Sequence, residues 1–179
     1  MISVIIPTFN RAYTLSKVLD SFYGQKFVRE VIIVDDGSSD DTVSVVREFS
    51  RRHLTINTLY LKNIRRKGAP FSRWRGLLAA TQEYILFGDD DGFLEDNYTD
   101  VCLEKLKCLR ADIISGRHFY RCPGESVATA VARFQCGLKD VEPFDFRFFY
   151  LNTDAKFDGD IELPFTHAIF VARRKLLLS

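Results

Sequence analysis

The chain has 179 residues, 46% hydrophobic and 27% charged, enough for one globular domain with a real core. Its 25 Lys and Arg nearly balance its 24 Asp and Glu, so the net charge of +1 excludes a global attraction to nucleic acid. No run of about 18 apolar residues is long enough to span a membrane, and Met1 leads straight into "ISVII" without the regions of a signal peptide. The expected location is cytoplasmic, with peripheral contact at the inner face of a membrane left open. Cys102, Cys108, Cys122 and Cys136 are scattered without a CxxC pair, which fits reduced structural thiols.

In chain order, "ISVIIP" is a β-branched run closed by Pro7 and predicts a buried parallel strand. Leu15, Val18, Leu19 and Phe22 recur at helical spacing, and Gly24 ends that helix. Val31–Val34 predicts a second strand, and a helix follows with Val43, Val46 and Phe49 on one face. Ser39 is the expected N-cap of that helix, with acidic residues suited to its dipole. "LTINTLYLK" is a third strand, "NIRRKGAPFS" a basic loop, Ser72 to Thr81 a helix and Tyr84–Gly88 a fourth strand. Val101, Leu103, Leu106 and Leu109 mark another helix before a strand at Asp112–Ser115. This alternation predicts an α/β fold with a mostly parallel sheet and helices on both faces. Beyond residue 116 the period weakens. The stretch 117–160 is aromatic and irregular, and "HAIFVARRKLLL" (167–178) reads as a strand entering a helix.

Ligands of open α/β sheets bind beyond the carboxyl ends of the strands. Three polar clusters fall there: Pro7 to Asn10, the pair Asp35 and Asp36, and the row Asp89, Asp90 and Asp91. Three adjacent carboxylates repel one another unless a cation or hydrogen-bond donors neutralise them. Mg²⁺ or Mn²⁺ is a natural partner, since hard cations take carboxylate, water and phosphate oxygens. A carboxylate at the second strand tip can accept from an imide N–H such as that of uracil. Arg73 and Arg75 lie near a helix start, where an anionic ligand is favoured. Arg65, Arg66 and Lys67 read equally well as a solvated basic face. His53, His118 and His167 are isolated, and the aromatic run 144–151 suits a core or a lid.

Together, "SVIIPTFNR" (3–11), "VIIVDDGSSDDT" (31–42), "GAPFSRWRGLLAAT" (68–81) and "EYILFGDDDGFLED" (83–96) resemble the nucleotide-sugar-binding half of a family 2 glycosyltransferase with the GT-A fold. The resemblance implies inverting transfer of a sugar from a nucleotide-diphosphate donor, a UDP-sugar, to a hydroxyl of a saccharide, lipid-linked or protein acceptor. It implies that Pro7 and Thr8 lie along the nucleoside, that Asn10 and Arg11 also bind the nucleotide-sugar, and that Asp36 accepts from the uracil imide. Arg73 would touch the base or diphosphate, and Asp89 would bind the nucleotide-sugar. Asp90, the middle acid, would sit near the ribose or sugar, and Asp91 would ligate the metal, Mn²⁺ or Mg²⁺. Residues 1–116 would form the donor half and 117–179 part of the acceptor side. Trp74 departs from the family, which usually has Asn there. The family's catalytic base belongs to an acidic motif downstream of the strand that "HAIFVARR" resembles, and is expected beyond Ser179. The upstream "FDGDIELP", with Asp158, Asp160 and Glu162, is not that motif. Two rival readings are a nucleotide-sugar-binding module without chemistry and a sugar-nucleotide nucleotidyltransferase. The second lacks its glycine-rich stretch after strand one, and a dinucleotide-binding dehydrogenase lacks GxGxxG.

Overall fold

A computed structural model of the chain describes residues 1–116, 129, 148–151 and 169–178. The first strand, β1 (Ile2–Thr8), is buried along its whole length. Successive strand side chains alternate in direction, so Ile2, Val4 and Ile6 enter one core layer while Ile5 enters the other. The elements that follow are α1 (Ala12–Tyr23), β2 (Val28–Asp35), α2 (Thr42–Arg52), β3 (Asn57–Lys62), α3 (Ala69–Ala79) and β4 (Tyr84–Phe87). Then come α4 (Tyr98–Cys108), β5 (Ile113–Gly116), β6 (Phe148–Leu151), β7 (Phe170–Arg173) and α5 (Arg174–Leu177).

The strands form one sheet in the order β3-β2-β1-β4-β7-β5-β6. Pairing is parallel from β3 through β2 and β1 to β4. The flank is antiparallel: β7 runs against both β4 and β5, and β6 runs against β5. The expected α/β class is observed. Leu15, Phe22, Phe49 and Leu106, from α1, α2 and α4, pack on one face. Leu77 of α3 packs on the other, over Ile5, Ile32, Val34 and Ile85. The strand and short helix expected at 167–178 are β7 and α5.

Several boundaries differ from the periodicity. Helix α3 starts at Ala69 rather than Ser72, because Gly68 (φ 90°) turns the chain and Pro70 fits the first turn, where no N–H is needed. It stops at Ala79, since Ala80 is extended. Ser39 is not the N-cap of α2. Its N–H donates to Asn10 Oδ1 at 2.8 Å, while Asp40 Oδ1 accepts from Thr42 N and Thr42 Oγ1 at 3.2 and 2.6 Å. Strand β2 is longer than its apolar centre, and β3 begins only at Asn57, with Leu54 exposed. Strand β5 ends at Gly116, one residue past the expected Ser115. Leu109 follows the end of α4 and is not in its buried face.

Two features fix how closely these layers approach. A Cβ on Gly76 would lie 2.4 Å from Ile5 Cγ2 and 3.3 Å from Val34 Cγ2. Only glycine lets α3 settle this near β1. Gly76→Ala should therefore cost about 1–3 kcal/mol by overpacking against stiff β-branched neighbours. Chemical denaturation checks this, and an unchanged midpoint would show that α3 has room to shift. At the other end of the sheet, Glu30 is buried to 1% exposure and accepts four hydrogen bonds. The donors are Ser3 Oγ, Asn57 Nδ2, Thr81 N and Thr81 Oγ1. This single carboxylate joins β1, β2, β3 and the α3–β4 connection.

Cys102 is buried and Cys108 exposed, both as free thiols. No described helix is long and apolar enough to cross a membrane. Cys122, Cys136, His118, His167, Asp158, Asp160, Glu162 and residues 144–147 of the aromatic run lie outside the described residues.

Candidate functional site

The chain reverses its direction of sheet growth beside β1. From β1 it adds β2 and β3 on one side, then crosses to add β4 on the other. The connections that follow β1 and β4 therefore diverge, and a crevice opens beyond their carboxyl ends. A cavity of about 340 Å³ lies there. Its walls include Pro7, Thr8, Phe9 and Arg11 after β1, Asp36 after β2, and Asp89, Asp90 and Asp91 after β4. Arg66, Gly68, Ser72 and Arg73 close it from the basic loop and α3.

The two acids at the tip of β2 part company. Asp35 is fully buried and turned away from the cavity. It accepts from the Tyr60 hydroxyl and from Ser38 N at 2.7 Å, and Lys62 Nζ stands 3.8 Å away. Desolvation and the bond to Asp35 push the Tyr60 hydroxyl far above its ordinary pKa, so it remains a donor. Asp36, in contrast, forms part of the cavity wall. Its Oδ1 accepts from Asn63 Nδ2 at 2.7 Å and Lys67 N at 2.8 Å, and its Oδ2 from Gly68 N at 2.7 Å. Burial opposes its ionisation, but these donors outweigh burial and hold its carboxyl below the usual value. A carboxylate has about four acceptor positions; three are filled here, and one remains on Oδ2.

The aspartate row is graded in exposure. The Asp90 side chain is 10% exposed and the Asp91 side chain 53%. Burial, reinforced by its charged neighbours Asp91 and Asp89, raises the Asp90 carboxyl above its ordinary pKa. Arg11 offsets the row: its Nη1 lies 3.3 Å from Asp90 Oδ1 and also pairs with Asp91 Oδ2. Arg73 Nη2 pairs with Asp89 Oδ1 at 2.8 Å, while Arg73 Nε is buried without an acceptor. The Arg73 guanidinium belongs to the wall of a polar cleft, where a cation suits an anionic ligand. Among the described residues, no three acidic, His or Cys side chains form a self-contained metal cage. The donor set is all oxygen, with Asp91 half exposed at the rim. It fits a hard divalent cation that takes its remaining ligands from water and phosphate.

Of the residues expected at a site, Pro7, Thr8, Arg11, Asp36, Arg73, Asp89, Asp90 and Asp91 are brought together around this cavity. Asn10 is not part of its wall. Asn10 adopts φ 52°, its N–H donates to Ser38 Oγ at 2.8 Å, and its side chain holds Ser39. It pins the β1 and β2 loops to each other. Arg75 points away, donating to Lys62 O and Asn63 Oδ1 at 2.8 and 2.7 Å. Sequence reasoning missed Asn63, which is 5% exposed and positions the Asp36 carboxylate. Its only signal was its place at the end of β3, next to the basic loop. Phe9, named in the cluster after the first strand without a role, and Arg66, left open as part of a solvated basic face, also belong to the cavity wall. The Arg66 guanidinium lies 4.3 Å from the Phe9 ring centroid in a cation–π contact at the cavity wall.

The fold is the GT-A fold: glucosyl-3-phosphoglycerate synthase of M. tuberculosis superposes with a TM-score of 0.61 at 18% identity, covering 100% of this chain and 59% of that one. The sequence matches Glycosyl transferase family 2 over residues 3–178, and the chain belongs to that family. It is 36% identical over 105 residues to the GalNAc(5)-diNAcBac-PP-undecaprenol beta-1,3-glucosyltransferase of Campylobacter jejuni, covering 58% of this chain and 34% of that protein. Residues 1–349 of S. aureus TarS in complex with UDP superpose with a TM-score of 0.56 at 28% identity, covering 63% of this chain and 33% of that one. The mannosyltransferase PcManGT from Pyrobaculum calidifontis, in complex with GDP-Man and Mn²⁺, superposes with a TM-score of 0.58 at 28% identity, covering 63% and 34%. The chain thus spans about a third of the length of these latter relatives, and 17% of another, the glycosyltransferase GlyA of Streptococcus pneumoniae.

Proposed function

We propose that the cleft binds a UDP-sugar with Mn²⁺ or Mg²⁺, for inverting transfer of the sugar to an acceptor hydroxyl. The observation that carries this reading is the Asp36 carboxylate. Three donors keep it ionised at the cavity wall, and one acceptor position is left for an imide N–H. Pro7 and Thr8 lie along the nucleoside, and Phe9 offers a ring edge beside it. Arg73, in the cavity wall, offers its guanidinium to the diphosphate, and Asp89 holds that guanidinium in place. Asp90 faces the ribose or sugar. Asp91 ligates the metal, which when bound offsets charge that gathers on the leaving diphosphate. Arg11 neutralises the row, and Asn10 keeps the surrounding loops in register. Residues 1–116 supply the donor half and 117–179 contribute to the acceptor side. A saccharide or lipid-linked acceptor is in keeping with the names of the relatives.

Calorimetric titration of UDP with Mn²⁺, and then with EDTA, tests this. Affinity should fall by at least about tenfold, or ~1.4 kcal/mol, when metal is removed. Asp91→Ala should bind UDP with Mn²⁺ only as weakly as the unaltered chain does in EDTA. Equal affinity in Mn²⁺ and EDTA would refute the metal assignment, and failure to bind UDP in either would refute the donor reading.

A further inference from the structure

Among the described residues, nothing covers one apolar face of helix α3. Phe71, Trp74 and Leu78 follow at helical spacing and are 43%, 48% and 56% exposed. The buried residues of the helix, Ser72, Gly76 and Leu77, lie on the opposite face, toward the sheet. Just before the helix, Ile64 is fully exposed in the loop after β3. Large apolar side chains gathered on one element differ from the single exposed ones that any surface carries. Their charge setting is one-sided. Residues 63–82 contain five cations and no acid. Two of those cations, Arg66 and Arg73, turn to the cleft. Arg65 and Lys67 remain exposed at the start of the helix, and Lys67 Nζ lies 5.7 Å from the Phe71 ring centroid.

We propose that this face of α3 docks on an anionic phospholipid surface. An aromatic and aliphatic stripe flanked by Arg and Lys is the composition that lies in a membrane interface, with apolar side chains at the acyl boundary and cations among the headgroups. Trp74, amphipathic in itself, suits that depth. A second copy of the chain is the competing occupant, but it would not by itself account for the cations beside the stripe, which a headgroup layer would neutralise. This inference goes beyond the donor reading and does not depend on UDP or metal.

Trp74 is the only tryptophan in the chain, so its emission reports this face directly. The full chain should be titrated with vesicles of phosphatidylcholine alone and with phosphatidylglycerol added, and binding confirmed by co-sedimentation. A blue shift and sedimentation are expected with the anionic vesicles. Arg65→Gln with Lys67→Gln should weaken partitioning about 25-fold, taking roughly 1 kcal/mol per cation near such a surface. Phe71→Ser with Leu78→Ser should weaken it at least about tenfold while leaving UDP affinity unchanged, which also shows that the variant is folded. No shift with either vesicle overturns the proposal. So does equal partitioning to both vesicles, or a shift that follows protein concentration without lipid and marks self-association.

Discussion

Asp36→Ala is expected to lower UDP affinity about a hundredfold, or ~3 kcal/mol, the upper range for a hydrogen bond to a charged group. The change removes the acceptor for the base, leaves Lys67 N and Gly68 N without a partner, and leaves Asn63 Nδ2 only its bond to Ser72 Oγ. The basic loop loses the carboxylate that holds it against β2. Asp36→Asn should fare little better. An amide must present its NH₂ to one of those donors, so the clamp opens whichever way the side chain is turned. The base contact can be separated from loop damage by altering the ligand instead of the protein. UDP methylated at N3 lacks the imide proton. The unaltered chain should prefer UDP to this analogue, and Asp36→Ala should bind both equally. Equal affinity of the unaltered chain for the two ligands would show that Asp36 serves only the loop.

Glu30→Ala is expected to destabilise the fold by about 3–5 kcal/mol, a large part of the 5–15 kcal/mol available to a domain. Four donors would face an apolar hole at a position of 1% exposure. An unmatched buried donor costs about 1–3 kcal/mol. Ser3 Oγ is buried, whereas Asn57 and Thr81 are exposed residues, so water takes up part of their share and keeps the sum below the simple total. Glu30→Gln should lie between the two, since one oxygen still accepts while the new amide meets donors. Urea denaturation of the three proteins reads this directly. A loss below about 1 kcal/mol for Glu30→Ala would show that the network adds little beyond what water supplies. Because Glu30 stands at the opposite end of the strands from the cavity, the folded fraction of the variant should still bind UDP. Stability and site can thus be separated by experiment.

Much of the fold was legible along the chain. "ISVIIP" and "VIIVDD" are strands because β-branched apolar runs of this length, closed by polar residues, suit a sheet covered on both faces. The helices between them are written in the spacing of Leu15, Val18, Leu19 and Phe22, and of Val46 and Phe49, all buried as expected. Boundaries were less legible where backbone geometry overrides periodicity. Gly68 and Pro70 start α3 early, and Asp40 takes the hydrogen bonds expected of Ser39. Leu109 looked helical by spacing, but α4 had already ended.

The site divides in the same way. The sequence alone determined the α/β alternation, the acids at the strand tips, the basic loop opposite them and the family resemblance, because these rest on local composition and order. Only the tertiary structure decided that Asp36 lines the cavity while Asp35 is locked to Tyr60 and Ser38. Adjacent strand residues point to opposite sides, and which side is the cleft depends on pairing far along the chain. The same holds for Asn63 behind Asp36, for Arg11 reaching across 80 residues to Asp91, and for β7 entering the sheet between β4 and β5. None of these contacts has a local signature. Each exists because strands distant in sequence become neighbours, and the free energy that selects those neighbours comes from burying both faces of the sheet at once.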